Sequence, residues 1–85
     1  MKEKNESIDE RHVDLSYLAD KWPSNIVSRC KVSDFSGGLL DQRSMANIDC
    51  LGKGPERVRI GRKVGYPVGA LIRWMEARAS RPDKR

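Results

Sequence analysis

The sequence predicts an α+β fold, mostly helical, in which two short helices joined by a glycine turn lead into a two-stranded β-hairpin and a closing C-terminal helix. Three observations predict it. Asp41 and Gly52 bracket a stretch of helical length, and Arg57–Tyr66 alternates in polarity around a central glycine. Val68, Leu71, Ile72, Met75 and Ala79 then recur at i, i+3, i+4, i+7 and i+11. Eighty-five residues supply one small domain with tails and a modest core.

The stretch 39–52 organises the rest. The Asp41 carboxylate can accept from backbone N–H groups two or three residues on, so it caps a helix over about 42–51. Gly52 ends that helix, because glycine adopts a left-handed turn without a Cβ penalty. Met45, Ile48 and Leu51 point inward. Arg43, Ala46, Asn47 and Cys50 form a second stripe with no apolar surplus to bury. That stripe carries a guanidinium and a carboxamide, groups that can pair with guanine and adenine edges in a DNA major groove. Gln42 opens the same helix, so Gln42, Arg43, Ala46 and Asn47 are the candidate base-reading residues.

Residues 1–12 mix charges of both signs without periodicity and are expected to form a flexible arm, followed by a domain over 13–80. Asp14 offers a cap for a helix over about 14–22, where Leu15, Leu18, Ala19 and Trp22 keep helical spacing until Pro23 forbids continuation. That apolar stripe must dock, either on the domain's own core or on a second copy. Ser24–Ser28 has no clear period and reads as an extended connector. Val32 and Phe35 lie three apart ahead of Gly37-Gly38, which gives a helix over about 30–36, a tight turn, and re-entry of Leu39 and Leu40 into the core. Two short helices around such a turn make a helix-turn-helix, whose second helix enters the groove in DNA-binding examples.

After Gly52, Lys53-Gly54-Pro55 is a turn, and the hairpin spans about 57–66. A two-residue loop, Gly61-Arg62, would set Ile60 opposite Lys63. A three-residue loop, Gly61-Arg62-Lys63, sets Ile60 opposite Val64 and Val58 opposite Tyr66, so that apolar faces match. The second register is the one expected. It turns Arg57 and Arg59 outward and leaves Arg62 and Lys63 at the tip, a basic wing suited to phosphates or a minor groove. Charge protection of an edge hairpin would also use basic residues, but four within seven positions exceed that need. Pro67 opens the closing helix over about 67–79, with Trp74 at the edge of its apolar stripe. Arg81–Arg85 reads as a flexible polar tail.

Charge supports the same division. The chain carries 17 Lys and Arg against 12 Asp and Glu, a net of +5. Residues 1–52 hold 7 basic and 9 acidic side chains, net −2, whereas residues 53–85 hold 10 and 3, net +7. Such asymmetry suggests a second half that faces a polyanion, a nucleic acid first and an anionic membrane surface as the alternative that charge alone also satisfies. No stretch is apolar for long enough to span a bilayer, and the start lacks the apolar run of a secretion signal, so a cytoplasmic protein is expected, nucleoid-associated where the polyanion is DNA. Cys30 and Cys50 form no CxxC pair and are expected as free thiols. His12 is the one histidine, too little for a zinc site. No cofactor, no metal and no catalytic constellation is expected, so the chain is not read as an enzyme.

The order helix, glycine turn, helix, Lys53-Gly54-Pro55, hairpin Val58–Tyr66 and closing Leu71-Ile72-Arg73-Trp74-Met75-Glu76 resembles the excisionase/AlpA-type family, small winged-helix proteins related to the MerR-type fold. The resemblance covers roughly residues 29–79, and GKGP…VRIGRKVGYP…LIRWMEAR is its most specific part. It implies a winged helix-turn-helix that binds double-stranded DNA. Base contacts would come from the second helix, matching Arg43, Ala46 and Asn47, and phosphate contacts from the wing, matching Arg57, Arg59, Arg62 and Lys63. It further implies a mobile-element or prophage protein that bends DNA for a site-specific recombinase, with self-association on DNA. A transcriptional regulator of the AlpA type is the alternative within the family. A non-enzymatic protein-interaction module, in which Leu15–Trp22 docks a partner, is the alternative outside it.

Overall fold

The computed structural model describes residues 13–80. The arm expected over 1–12 and the tail expected over 81–85 lie outside the described residues. The fold is α+β, with helical segments packed on a three-stranded antiparallel sheet.

The chain enters through a 3₁₀ helix, Ser16–Lys21, shorter and tighter than the 14–22 helix expected. Asp14 Oδ1 accepts from the Ser16 N–H (2.9 Å) and hydroxyl (2.7 Å), and the Leu15 N–H donates to Glu76 Oε2 at 2.7 Å. These contacts fix the entry point, and Pro23 closes the exit. Leu15, Leu18 and Trp22 pack on the domain's own core, while Ala19 is exposed. Trp22 meets Phe35 edge to face, 5.3 Å between centroids, and its indole N–H donates to the Ile26 carbonyl at 2.9 Å.

The connector expected after Pro23 contains a strand, β1 (Ile26–Ser28). It lies along β3 (Lys63–Pro67), with β2 (Val58–Ile60) on the other side, giving the order β1-β3-β2. Val27 stands opposite Tyr66, and both are fully buried. With one inward residue in three, β1 was too short to show an alternating pattern in the sequence.

The next helix is a 3₁₀ turn, Arg29–Lys31, running into α1 (Val32–Phe35). Val32 and Phe35 are buried, as their spacing predicts. Gly37 takes φ 68°, and the Gly38 N–H reaches back to the Ser33 carbonyl at 2.7 Å, the reverse turn that closes a helix on glycine. The buried Ser36 hydroxyl donates to the Val32 carbonyl (2.8 Å) and accepts from the Leu40 N–H (2.8 Å), tying both arms of the turn. Leu40 is half-buried, but Leu39 is 81% exposed, so only one of the two leucines re-enters the core.

Then comes α2 (Gln42–Cys50), followed by the hairpin and α3 (Val68–Arg78). Pro67 ends β3 and sits just before α3 rather than inside its first turn, and the Val68 N–H donates to the Asn25 carbonyl at 2.9 Å. Val68, Leu71, Ile72 and Met75 bury the stripe that the periodicity marked. Trp74 covers the stripe's edge, donating to the Lys53 carbonyl at 2.9 Å beneath the Arg78 guanidinium, 4.8 Å from its ring.

The hairpin adopts the two-residue register, not the three-residue one expected. Ile60 pairs with Lys63, Arg59 with Val64 and Val58 with Gly65. Gly61, at φ 62°, supplies the left-handed residue that a two-residue loop favours. The consequence follows from period-two geometry: Val58 (41% exposed) and Ile60 (75%) lie on the face away from the core. Gly65 explains why that face accepts apolar residues. It has no side chain, and Ile26 from β1 lies across it, so close that a Cβ at Gly65 would sit 3.2 Å from the Ile26 side chain. Ile26, Val58 and Ile60 therefore share an outer patch around Gly65. Among the described residues no helix is long and apolar enough to cross a membrane.

Candidate nucleic-acid interface

The helix α2 is built as its sequence requires. Asp41 Oδ2 accepts from the Ser44 N–H at 3.1 Å, and the Met45 N–H donates to the Asp41 carbonyl at 2.9 Å. At the other end Gly52 has φ 75°, its N–H donates to the Asp49 carbonyl (3.0 Å), and the Lys53 N–H donates to the Ile48 carbonyl (3.1 Å). Met45 is fully buried and Ile48 half-buried. Leu51, expected inward, is 63% exposed, because the inward place in the last turn belongs to Asp49, one turn on from Met45.

With that face fixed, Gln42, Arg43, Asn47 and Cys50 are exposed and Ala46 is half-buried. Three adjoining concavities line this side of the molecule, and Arg29 borders all of them. The first includes Gln42, Arg43 and Ala46 with Asp41. The second includes Ala46, Cys50, Arg57 and Arg59 with Glu56 and Asp49. The third joins Gln42 to Arg62 and Lys63 of the hairpin tip. Seven of the eight residues singled out from the sequence thus line three concavities that share Arg29, a hollow between α2 and the hairpin, while Asn47 is exposed on α2 and lines none of them. Arg57 and Arg59 are exposed, as expected, but Arg59 lies on the opposite strand face from the one expected. In the observed register Arg59 shares the face of Val64 and looks toward α2.

Below the hollow lies a network that sequence reasoning did not find. The Asp49 side chain is 3% exposed. Its Oδ2 accepts from the Tyr66 hydroxyl at 2.5 Å and from Arg29 Nη2 at 2.6 Å, and Arg29 Nε donates to the Tyr66 oxygen at 3.1 Å. Its Oδ1 accepts no hydrogen bond from a described residue; Arg57 Nη1 lies 3.9 Å away. Burial pushes the Tyr66 hydroxyl above its ordinary value of 10.0, so it stays a donor to Asp49. Its oxygen, and then Asp49, hold the Arg29 guanidinium more firmly charged. A carboxylate this deep needs such partners, since an unpaired buried charge is costly. The signal was present: an acid at i+4 from Met45 falls on the inward face of its helix and demands a cation.

Gly54 seals this network from behind. A Cβ there would lie 1.9 Å from Asp49 Oδ1, and the Asp49 backbone is 3.5 Å away. Gly54→Ala must therefore push the Lys53–Pro55 turn or the carboxylate aside. The expected result is a loss of about 1–3 kcal/mol, the usual range for overpacking, read from chemical denaturation. A wild-type midpoint would show that the turn yields freely. Cys30 and Cys50 are both exposed and unbridged. No family model, characterised protein or solved structure matches the chain.

Proposed function

We propose that the chain is a sequence-specific DNA-binding protein without catalytic activity, working as a winged helix-turn-helix. One observation carries the reading. Gln42, Arg43 and Ala46 of α2 and the basic residues of the hairpin, separated in sequence, border adjoining concavities that together hold Arg29, Arg43, Arg57, Arg59, Arg62 and Lys63 against Asp41, Asp49 and Glu56. In this reading α2 enters the major groove with Gln42, Arg43, Ala46 and Asn47 at the base edges. Arg57, Arg59, Arg62 and Lys63 take the flanking phosphates or an adjacent minor groove. The biological role proposed is that of an excisionase, which binds and bends the DNA of a mobile element for a site-specific recombinase. That role rests on the resemblance of the hairpin and closing helix described above.

Two substitutions separate base reading from phosphate gripping. Asn47→Ala should cost about 1–3 kcal/mol at the preferred site and little on a scrambled duplex. Equal losses on both would remove Asn47 from base readout. Arg62→Ala should weaken all sequences alike and lower the slope of log affinity against log salt by about one. A wild-type slope would take the hairpin tip out of the interface.

A further inference from the structure

Arg29 belongs to neither of the elements that the DNA reading uses. It sits in the turn before α1, yet it lines all three concavities of the hollow between α2 and the hairpin. A guanidinium carries five N–H donors in a planar fork. Tyr66 takes the Nε donor and Asp49 one Nη2 donor, which leaves three. The side chain is 22% exposed and lines the hollow, and those three donors have no partner among the described residues.

We propose that Arg29 is a phosphate-contacting residue, its guanidinium clamped by Asp49 and Tyr66 so that the remaining N–H groups meet a backbone phosphodiester of DNA seated across α2 and the hairpin. The assignment rests on the DNA-binding reading above. A phosphate suits the geometry better than a base edge. Two tethers prevent the side chain from extending into a groove, and a planar fork of fixed direction matches a tetrahedral anion at the protein surface. Holding the fork before binding also removes most of the ordering cost that a free arginine would incur. The buried Asp49 does not turn the spot negative, because Arg57 lies 3.9 Å from its second oxygen, giving two cations to one carboxylate. Asp49 and Tyr66 are positioning residues in this scheme; Arg29 makes the contact.

The test is a salt titration of binding to a random-sequence duplex, comparing the full chain with the double variant Arg29→Gln/Asp49→Asn. The double change leaves the net charge unaltered and strands no buried ion, so thermal melting should show a folded domain. The slope of log affinity against log salt should fall by about 0.9, the value for one phosphate contact. An unchanged slope with normal wild-type binding overturns the assignment of Arg29 alone. Wild-type protein that shows no salt-dependent binding overturns the DNA reading and this assignment with it. If the double variant does not fold, Arg29→Lys decides: it keeps a cation beside Asp49 but loses the fork. It should bind severalfold more weakly at an unchanged slope, and wild-type affinity would contradict the clamp.

Discussion

Replacing Met75 with Asp is expected to unfold the domain. Met75 is 7% exposed in the middle of the α3 stripe, among the residues that make up the one buried cluster described. The substitution removes a buried thioether side chain, worth about 2–5 kcal/mol when truncated, and introduces a carboxyl into an apolar cluster, where the nearby Arg78 is engaged over the Trp74 ring. Small domains hold only about 5–15 kcal/mol in total, and one of 85 residues stands near the lower end. The measurement is far-UV circular dichroism through a thermal melt. Loss of the cooperative transition is the expected result. A transition near that of the wild-type chain would mean that α3 does not close the core.

The second large effect concerns the buried carboxylate. Arg29→Ala leaves Asp49 with the Tyr66 hydroxyl and an arginine 3.9 Å away that is itself 43% exposed. Breaking a buried ion pair by removing one partner costs about 3–5 kcal/mol, and the partial exposure of Arg29 puts this case at about 3 kcal/mol. Adding Asp49→Asn should recover most of the loss, because the uncompensated charge is gone. Urea unfolding of the single and double variants measures both. A single variant as stable as the wild type would show that Arg57 swings in to replace Arg29, and that the pair contributes nothing to folding.

The Arg29–Asp49 pair lies just beyond what the sequence makes legible. Features determined within one or two turns are readable. Asp41 caps α2 through Ser44, Gly52 closes it, Gly37-Gly38 ends α1, and the spacing of Val68, Leu71, Ile72 and Met75 is the buried face of α3. Each depends on chemistry between near neighbours. Features set by distant pairing are not readable in the same way. Val27 shows its role only once Tyr66, 39 positions later, lies opposite it. The hairpin register followed the wrong rule, since matching Val58 and Ile60 to Val64 and Tyr66 assumes that β2 shares their buried face. Gly65 instead opens room on the outer face, where Ile26 of a strand far away in sequence joins Val58 and Ile60.

The candidate site divides along the same line. The residues facing the hollow from α2 and the hairpin could be named from helix periodicity and from the run of basic residues. Arg29 could not, because its place depends on Asp49 being turned inward and on Tyr66 coming from β3. The inward direction of Arg59 was likewise hidden by the register. What the sequence does supply for this cluster is a local contradiction, an acid on the apolar face of α2, and such a contradiction identifies where a long-range partner must be sought.

The most direct test of the DNA-binding account is a salt titration of the wild-type chain on two duplexes of equal length, one carrying the intergenic or attachment-site sequence beside its gene and the other a scramble. The account predicts a steep salt slope on both and clear preference for the first, with discrete higher complexes as copies add. Specific proteins commonly exceed their own non-specific affinity by about a thousandfold or more, a margin that a single small domain reaches with the help of neighbours. Equal binding to both duplexes would contradict base reading by α2. Absence of binding to either at low salt would contradict the account as a whole.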